Sequence, residues 1–163
     1  IEIRDEKNIT RPDMIQLMME TRDKNTGPAF DIDEMAAQAF IFFAGGFDSM
    51  SSVMYFLAHE VATNPDVQSK LRVEIDQVLE QNDGKPTYEA INSMKYMDAV
   101  ITECLRLYPL VAFIDRLCVK EFELPPPTPD GKPVIVKPGE SVWLPNHSLH
   151  RDPTYYPEPD KFN

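Results

Sequence analysis

Ten of the fifteen prolines fall at or after Pro125. Proline has no backbone N–H and its ring clashes with the preceding turn, so it stays out of helix interiors and central strands. The first two-thirds of the chain is therefore free to be helical, while the last third is confined to short strands, turns and loop. The expected fold class is mainly α with a small β portion, an α+β chain that is helical to about residue 109.

Hydrophobic periodicity places the helices. A short one is predicted at Pro12–Arg22, with proline in its first turn and Met14, Leu17, Met18 and Thr21 on one face; NTGPAFD at 25–31 breaks it. A long helix follows from about Asp33 to Thr63, which at a rise of 1.5 Å per residue is ~45 Å and should cross the whole core. Its first half is apolar all round, as in a buried helix. In its second half Met50, Val53, Met54, Leu57 and Val61 follow a 3.6-residue spacing. Asn64-Pro65 caps the next helix, whose stripe is Val67, Leu71, Ile75, Val78 and Leu79 and whose end is NDG at 82–84. Thr87 caps a short turn. Lys95–Tyr108 is helical through Met97, Val100, Ile101, Cys104, Leu105 and Tyr108, and Pro109 stops it. Beyond it, 111–124 is extended, and DGKPVIVKPGESVWLP reads as two short strands around a Pro-Gly turn. The remainder is loop with one helical turn.

The long helix contains an anomaly, FIFFAGGFDSMSS at 40–52. Glycine inside a helix costs about 1 kcal/mol relative to alanine, and a buried carboxylate costs far more unless paired. Gly45 and Ser49 stand at i and i+4, so the hydroxyl can bond back to the Gly45 carbonyl. The paired glycines leave room beside the backbone, and Asp48 sits next to that gap. Two readings stay open from this stretch alone. Either another helix packs closely there and Asp48 pairs with a buried arginine, or a flat cofactor and a small molecule occupy the notch.

The net charge of −11 argues against a nucleic-acid partner. Cys104, Cys118, His59, His147 and His150 offer no metal-ligand spacing and no disulfide framework, which favours a reducing compartment. The most apolar run, Ala36–Phe47, is interrupted by Gln38 and falls short of the ~20 residues of a spanning helix. With no initiator methionine and an end at EPDKFN in a Pro-rich loop, the expectation is an internal fragment, 1–163, of one domain.

A second constellation is ITECLRLYP, where Glu103 and Arg106 lie one turn apart. Alone, such a pair is a routine solvated contact worth a few tenths of a kcal/mol. Here it precedes a helix-ending proline and an extended segment carrying Arg116. Together these features resemble the cytochromes P-450, the haem-thiolate monooxygenases. GGFDSM at 45–50 is similar to the oxygen-binding stretch of that family's long central helix, with Ser49 where threonine is usual. ECLR matches its Glu-x-x-R helix, FIDRLC puts Arg116 at its haem-propionate arginine, and HRDPTYYPEPDKFN resembles the run into its Pro-Glu-Arg-Phe segment. The wording of NPDVQSKLRVEID is similar to microsomal animal enzymes, on the insect branch active on foreign compounds.

The resemblance implies haem as cofactor, held by a cysteine thiolate beyond this chain, and O2 as co-substrate. Asp48 and Ser49 would be the catalytic residues that deliver protons, and Ala44, Gly45 and Arg116 would contact the haem. Phe43, Phe47, Leu110, Val111, Ala112 and Phe113 would line the site of a lipophilic substrate, with Glu103 and Arg106 structural. It further implies an NADPH-dependent flavoprotein reductase as partner and the cytoplasmic face of the endoplasmic reticulum, mitochondria being the alternative. Membrane attachment would come through a segment outside this chain. Isolated, these 163 residues are not expected to bind haem tightly or to turn over. The competing reading is a non-enzymatic helical interaction module whose methionine-rich faces bind partner helices.

Overall fold

The computed structural model describes residues 1–24 and 31–163, so the break expected at NTGPAFD lies, but for Asp31, outside the described residues. The chain forms two compact units, Ile1–Ser51 and Ser52–Asn163. Its elements are α1 (Glu2–Lys7), α2 (Met14–Lys24), α3 (Ile32–Thr63), α4 (Pro65–Gln81), α5 (Tyr88–Asn92), α6 (Lys95–Leu107), β1 (Ile114–Leu117), β2 (Phe122–Leu124), β3 (Val134–Val136), β4 (Ser141–Leu144) and α7 (Asn146–Leu149). The mainly helical class with a small β part is what the proline distribution predicts.

In the first unit, α2 begins two residues later than proline placement suggests. Asp13 Oδ1 accepts from Gln16 N at 3.0 Å, which puts Pro12 ahead of the cap. Both Asp13 oxygens also take the Arg4 guanidinium, at 2.8 and 2.6 Å, and that bond chiefly holds the carboxyl well below the usual range. The buried face is Met18 and Met19 against Met35, with Met14 and Ile15 beside them. Leu17 and Thr21 face outward, a rotation of the predicted stripe. Helix α3 opens with a reciprocal capping box: Asp31 Oδ1 accepts from Glu34 N and Asp31 N donates to Glu34 Oε2.

Helix α3 spans 32 residues without a break at Gly45-Gly46. Two expectations about it are corrected. By length and composition it is long and apolar enough to cross a membrane, because the helix continues past the run 36–47 that the sequence reading measured. Nor is its first half buried. Phe40, Phe42, Phe43 and Phe47 are each more than 60% exposed among the described residues, and Met35 alone of that half is fully covered.

The second unit packs α4 and the end of α3 against α6. Val100, Cys104, Leu107 and Phe162 form its core, joined by Phe56, Leu57, Val61, Val67, Leu71, Tyr96 and Tyr108. Leu107 rather than Leu105 takes the buried position on α6. Asn64 occupies the N-cap position of α4, but its amide donates back to Glu60 instead of accepting, so the expected side-chain cap does not form. Thr87 does cap, accepting from Ala90 N at 3.1 Å. Met94, at the N-cap of α6, has no acceptor to offer. Glu74 of α4 replaces it, its two oxygens accepting from Tyr96 N and Met97 N at 2.9 and 2.8 Å. The strands flanking Pro138-Gly139 do not pair with each other. Antiparallel β1–β4 and β2–β3 ladders form instead, two small sheets built by nesting one hairpin inside another.

Two polar contacts fix what periodicity leaves open. Arg106, 7% exposed, forks onto Glu103 at 2.7 and 2.8 Å. Its remaining N–H groups donate to the carbonyls of His150, Pro159 and Lys161 at 2.8 to 3.0 Å, while its plane lies 4.8 Å over the Tyr156 ring. The pair thus does more than such a spacing would as a solvated contact alone; it holds the irregular 150–163 segment on α6. Glu60, also 7% exposed, accepts the Tyr108 hydroxyl at 2.5 Å across 48 residues of sequence. That bond, with burial adding to it, pushes the Tyr108 phenol up to about 12.

Removing one partner of a buried ion pair strands the other, at a cost of about 3–5 kcal/mol. Arg106→Ala is therefore expected to lower the unfolding free energy of the full-length protein, measured by urea denaturation, by that scale. Arg106→Lys should recover only a minority of the loss, because an ammonium cannot serve the fork and three carbonyls together. The raised phenol pKa means that the folded state holds the Tyr108 proton more tightly than the unfolded chain does. Its contribution to stability is complete below about pH 10 and is lost as pH rises from 10 through 12. Subtracting the ultraviolet phenolate titration of Tyr108→Phe from that of the parent should isolate one component near pH 12; a component near pH 10 would show the Glu60 bond to be absent.

Candidate functional site

Helix α3 carries the notch. Ser49 Oγ donates to Gly45 O at 2.5 Å, the local back-bond that i,i+4 spacing predicts. A Cβ built on Gly45 or Gly46 meets nothing within 4 Å, so among the described residues no helix packs against that surface. Asp48 is exposed and none of the ion pairs formed by the described residues includes it. The close-packing reading therefore lacks both its packing partner and its arginine here. Phe43 and Phe47, one turn apart, stack at 6.0 Å with planes 12° apart, and Ala44 lies half-buried beside them. The arrangement is an open apolar face with one hydroxyl and one carboxylate at its centre.

In the second unit, Pro109 ends α6 and Leu110–Phe113 leads to β1. All four residues are exposed. His147 N donates to Ala112 O at 3.0 Å, and Phe113 stacks on Trp143 at 4.4 Å. Arg116 lies on β1 opposite Val142 and is exposed; its Nη1 donates to Asp115 O at 2.7 Å. It borders a cavity of about 310 Å³ with Cys118, Lys120, Phe122 and Val136. Glu103 and Arg106 stand apart from these groups, in the loop-holding network. The α3 residues belong to the first unit, and Leu110–Arg116 to the second.

The residues present suit part of the haem that the resemblance implies. A flat apolar macrocycle matches the uncovered face at Ala44 and Gly45, and Arg116 has a guanidinium available for a carboxylate. Neither cysteine of this chain is placed as an open thiolate ligand for an iron. Cys104 is 1% exposed in the core, and burial, reinforced by the nearby Glu60, pushes its thiol up. Cys118 Sγ is engaged with the carbonyls of Lys120 and Val136 at 3.0 and 3.4 Å. No cluster of three metal-ligating side chains occurs among the described residues.

Sequence reasoning did not find Glu60, Glu74 or the Tyr108 hydroxyl. The available signal was at Glu60, a carboxylate at i+4 from Phe56 on a face that otherwise packs into the core.

The family model described as cytochrome P450 matches residues 2–163. Cytochrome P450 9e2 of Blattella germanica is 46% identical over 177 residues, covering all of this chain and 32% of that protein. Probable cytochrome P450 6a13 of Drosophila melanogaster is 41% identical over 163 residues, covering all of this chain and 32% of the relative. Cytochrome P450 3A16 of Mus musculus is 38% identical over 162 residues, with 97% of this chain and 31% of the mouse protein covered. The chain thus spans about a third of the length of these relatives. Because the family match runs from the first turn of α1 to the final residue and takes in α3, α6 and β1 alike, the chain belongs to the cytochrome P450 family.

Proposed function

We propose that this chain is part of a haem-dependent monooxygenase that hydroxylates lipophilic compounds. The observation that carries the reading is the α3 notch, a hydroxyl and a carboxylate without an ion-pair partner among the described residues, on an open apolar face where two glycines keep side chains away. Haem is the cofactor of the family, and when bound it supplies the site at which O2 is reduced and split. One oxygen atom enters a substrate C–H bond to give an alcohol; the other leaves as water, taking up two protons and two electrons. The electrons come from NADPH through a flavoprotein reductase at the cytoplasmic face of the endoplasmic reticulum.

This chain's residues handle the protons and the substrate. Asp48, exposed to solvent, collects a proton and Ser49 passes it inward from the Gly45 side of the notch. Serine lacks the methyl that restricts a threonine rotamer, and its bond to Gly45 O takes over that restraint. Phe43, Phe47 and Leu110–Phe113 present apolar surface to the substrate. Ala44 and Gly45 leave room for the macrocycle, and Arg116 binds one of its carboxylates.

The full-length protein, reduced under carbon monoxide, should give the thiolate-haem spectrum; absence of that spectrum would remove the reading. Supplied with reductase, Ser49→Ala should divert most NADPH consumption to peroxide, lowering product per NADPH by about a hundredfold, the low end of general acid–base effects. Ser49→Thr should keep or raise that ratio, and Asp48→Asn should slow turnover. Unchanged coupling in Ser49→Ala would take the proton role away from this hydroxyl.

A further inference from the structure

The segment between Pro109 and β1 has no ladder or helix of its own, and such connectors ordinarily move. Here it is tied along its length. At its origin Tyr108 has left helical geometry, at φ −123° and ψ 64°. The tyrosine is held twice by one face of α3, its hydroxyl on Glu60 at 2.5 Å and its ring stacked on Phe56 at 4.3 Å with planes 2° apart. Midway, His147 N donates to Ala112 O at 3.0 Å. At the far end Phe113 stacks on Trp143. Between the ties Leu110 and Val111 are 46% and 57% exposed, presented outward instead of packed.

Glu60 is the costly member of this arrangement. It is a 7% exposed carboxylate whose other partner is Asn64 Nδ2 at 3.0 Å. An apolar residue of similar volume would serve packing equally well or better. No step of the proposed oxygen chemistry uses Glu60 or Tyr108. What the pair does control is the direction in which the chain leaves α6.

We infer that Glu60 and Tyr108 are positioning residues which fix Leu110–Phe113 as one wall against the carbon skeleton of a lipophilic substrate, and so determine which carbon is presented for oxidation. The inference rests on the monooxygenase reading. It assigns a specificity role to a bond on the far side of the segment from the substrate. Tyr108→Phe keeps the ring stack and removes only the tie. Glu60→Gln keeps an oxygen that accepts the hydroxyl, and Glu60→Leu does not.

The test uses these three variants in the full-length haem protein. The His147 amide, whose acceptor is Ala112 O, reports whether the segment is in place. Its hydrogen exchange should quicken roughly tenfold in Tyr108→Phe and Glu60→Leu, the scale of one lost hydrogen bond. Exchange in α4 should not change, and Glu60→Gln should resemble the parent. Optical titration with n-octylamine should show affinity weakened by a similar factor in the same two variants, while affinity for imidazole, too small to reach the wall, stays constant. Exchange unchanged at His147, or quickened equally in α4, would overturn the positioning role, as would octylamine and imidazole affinities that move together. Failure of imidazole to bind the parent protein would instead strike the haem reading, and the exchange result would still decide the tie.

Discussion

A guanidinium has five N–H donors in a rigid plane, and in this chain Arg106 directs them at both Glu103 oxygens and three backbone carbonyls. Residues 150–163 have no strand and no helix, so without these bonds the carbonyls of His150, Pro159 and Lys161 would be left to water. Glu103 completes the clasp by accepting from Asn163 N at 3.1 Å. Phe162 then closes over Val100, Cys104 and Leu107. The opposite terminus of α6 is equally dependent on distant groups, since Glu74 supplies the cap that Met94 cannot. Arg151 Nη2 takes the Leu107 carbonyl at 2.7 Å. One helix of 13 residues thereby organises the second unit through polar contacts at both ends, with its apolar stripe between them.

Such contacts explain where reading the sequence succeeds and where it stops. Periodicity and proline placement locate α3, α4 and α6 because both are local properties of the helix. Ser49 on Gly45 O is legible for the same reason, since donor and acceptor are four residues apart. Glu74 capping α6 spans 22 and 23 residues, and Glu60 on Tyr108 spans 48. No spacing rule reaches that far. The strand pairing fails in a similar way. A Pro-Gly turn between two short strands suggests a simple hairpin, yet β3 pairs backward to β2 and β4 to β1. Register is set by which faces find cover, and that is a property of the assembled chain.

Helix α3 shows a different limit. Its all-apolar first half was read as buried because apolar surface in water is unfavourable by roughly 25 cal/mol per Å². That reasoning identifies a surface that needs a cover but not what supplies it. Within the described residues the phenylalanines around the notch are uncovered, in a chain that spans about a third of its relatives.

The glycines separate two influences, backbone conformation and packing. Gly84 and Gly139 have φ of +74° and +91°, a region where a side chain is strained, so backbone conformation accounts for them. Gly45 and Gly46 lie inside a continuous helix and would accommodate a Cβ without any contact within 4 Å. Alanine at both would raise intrinsic helix stability by about 1 kcal/mol each. Neither conformation nor packing among the described residues therefore accounts for two adjacent glycines. On the proposed reading, what accounts for them is a body that approaches the backbone more closely than a methyl group allows, beside a hydroxyl bonded to the same turn and a carboxylate that no cation among the described residues engages. A flat cofactor edge meets that requirement; a neighbouring helix would tolerate the glycines but would leave Asp48 unexplained. The acid favours the proposed reading, because close packing has no use for a charge and proton delivery does.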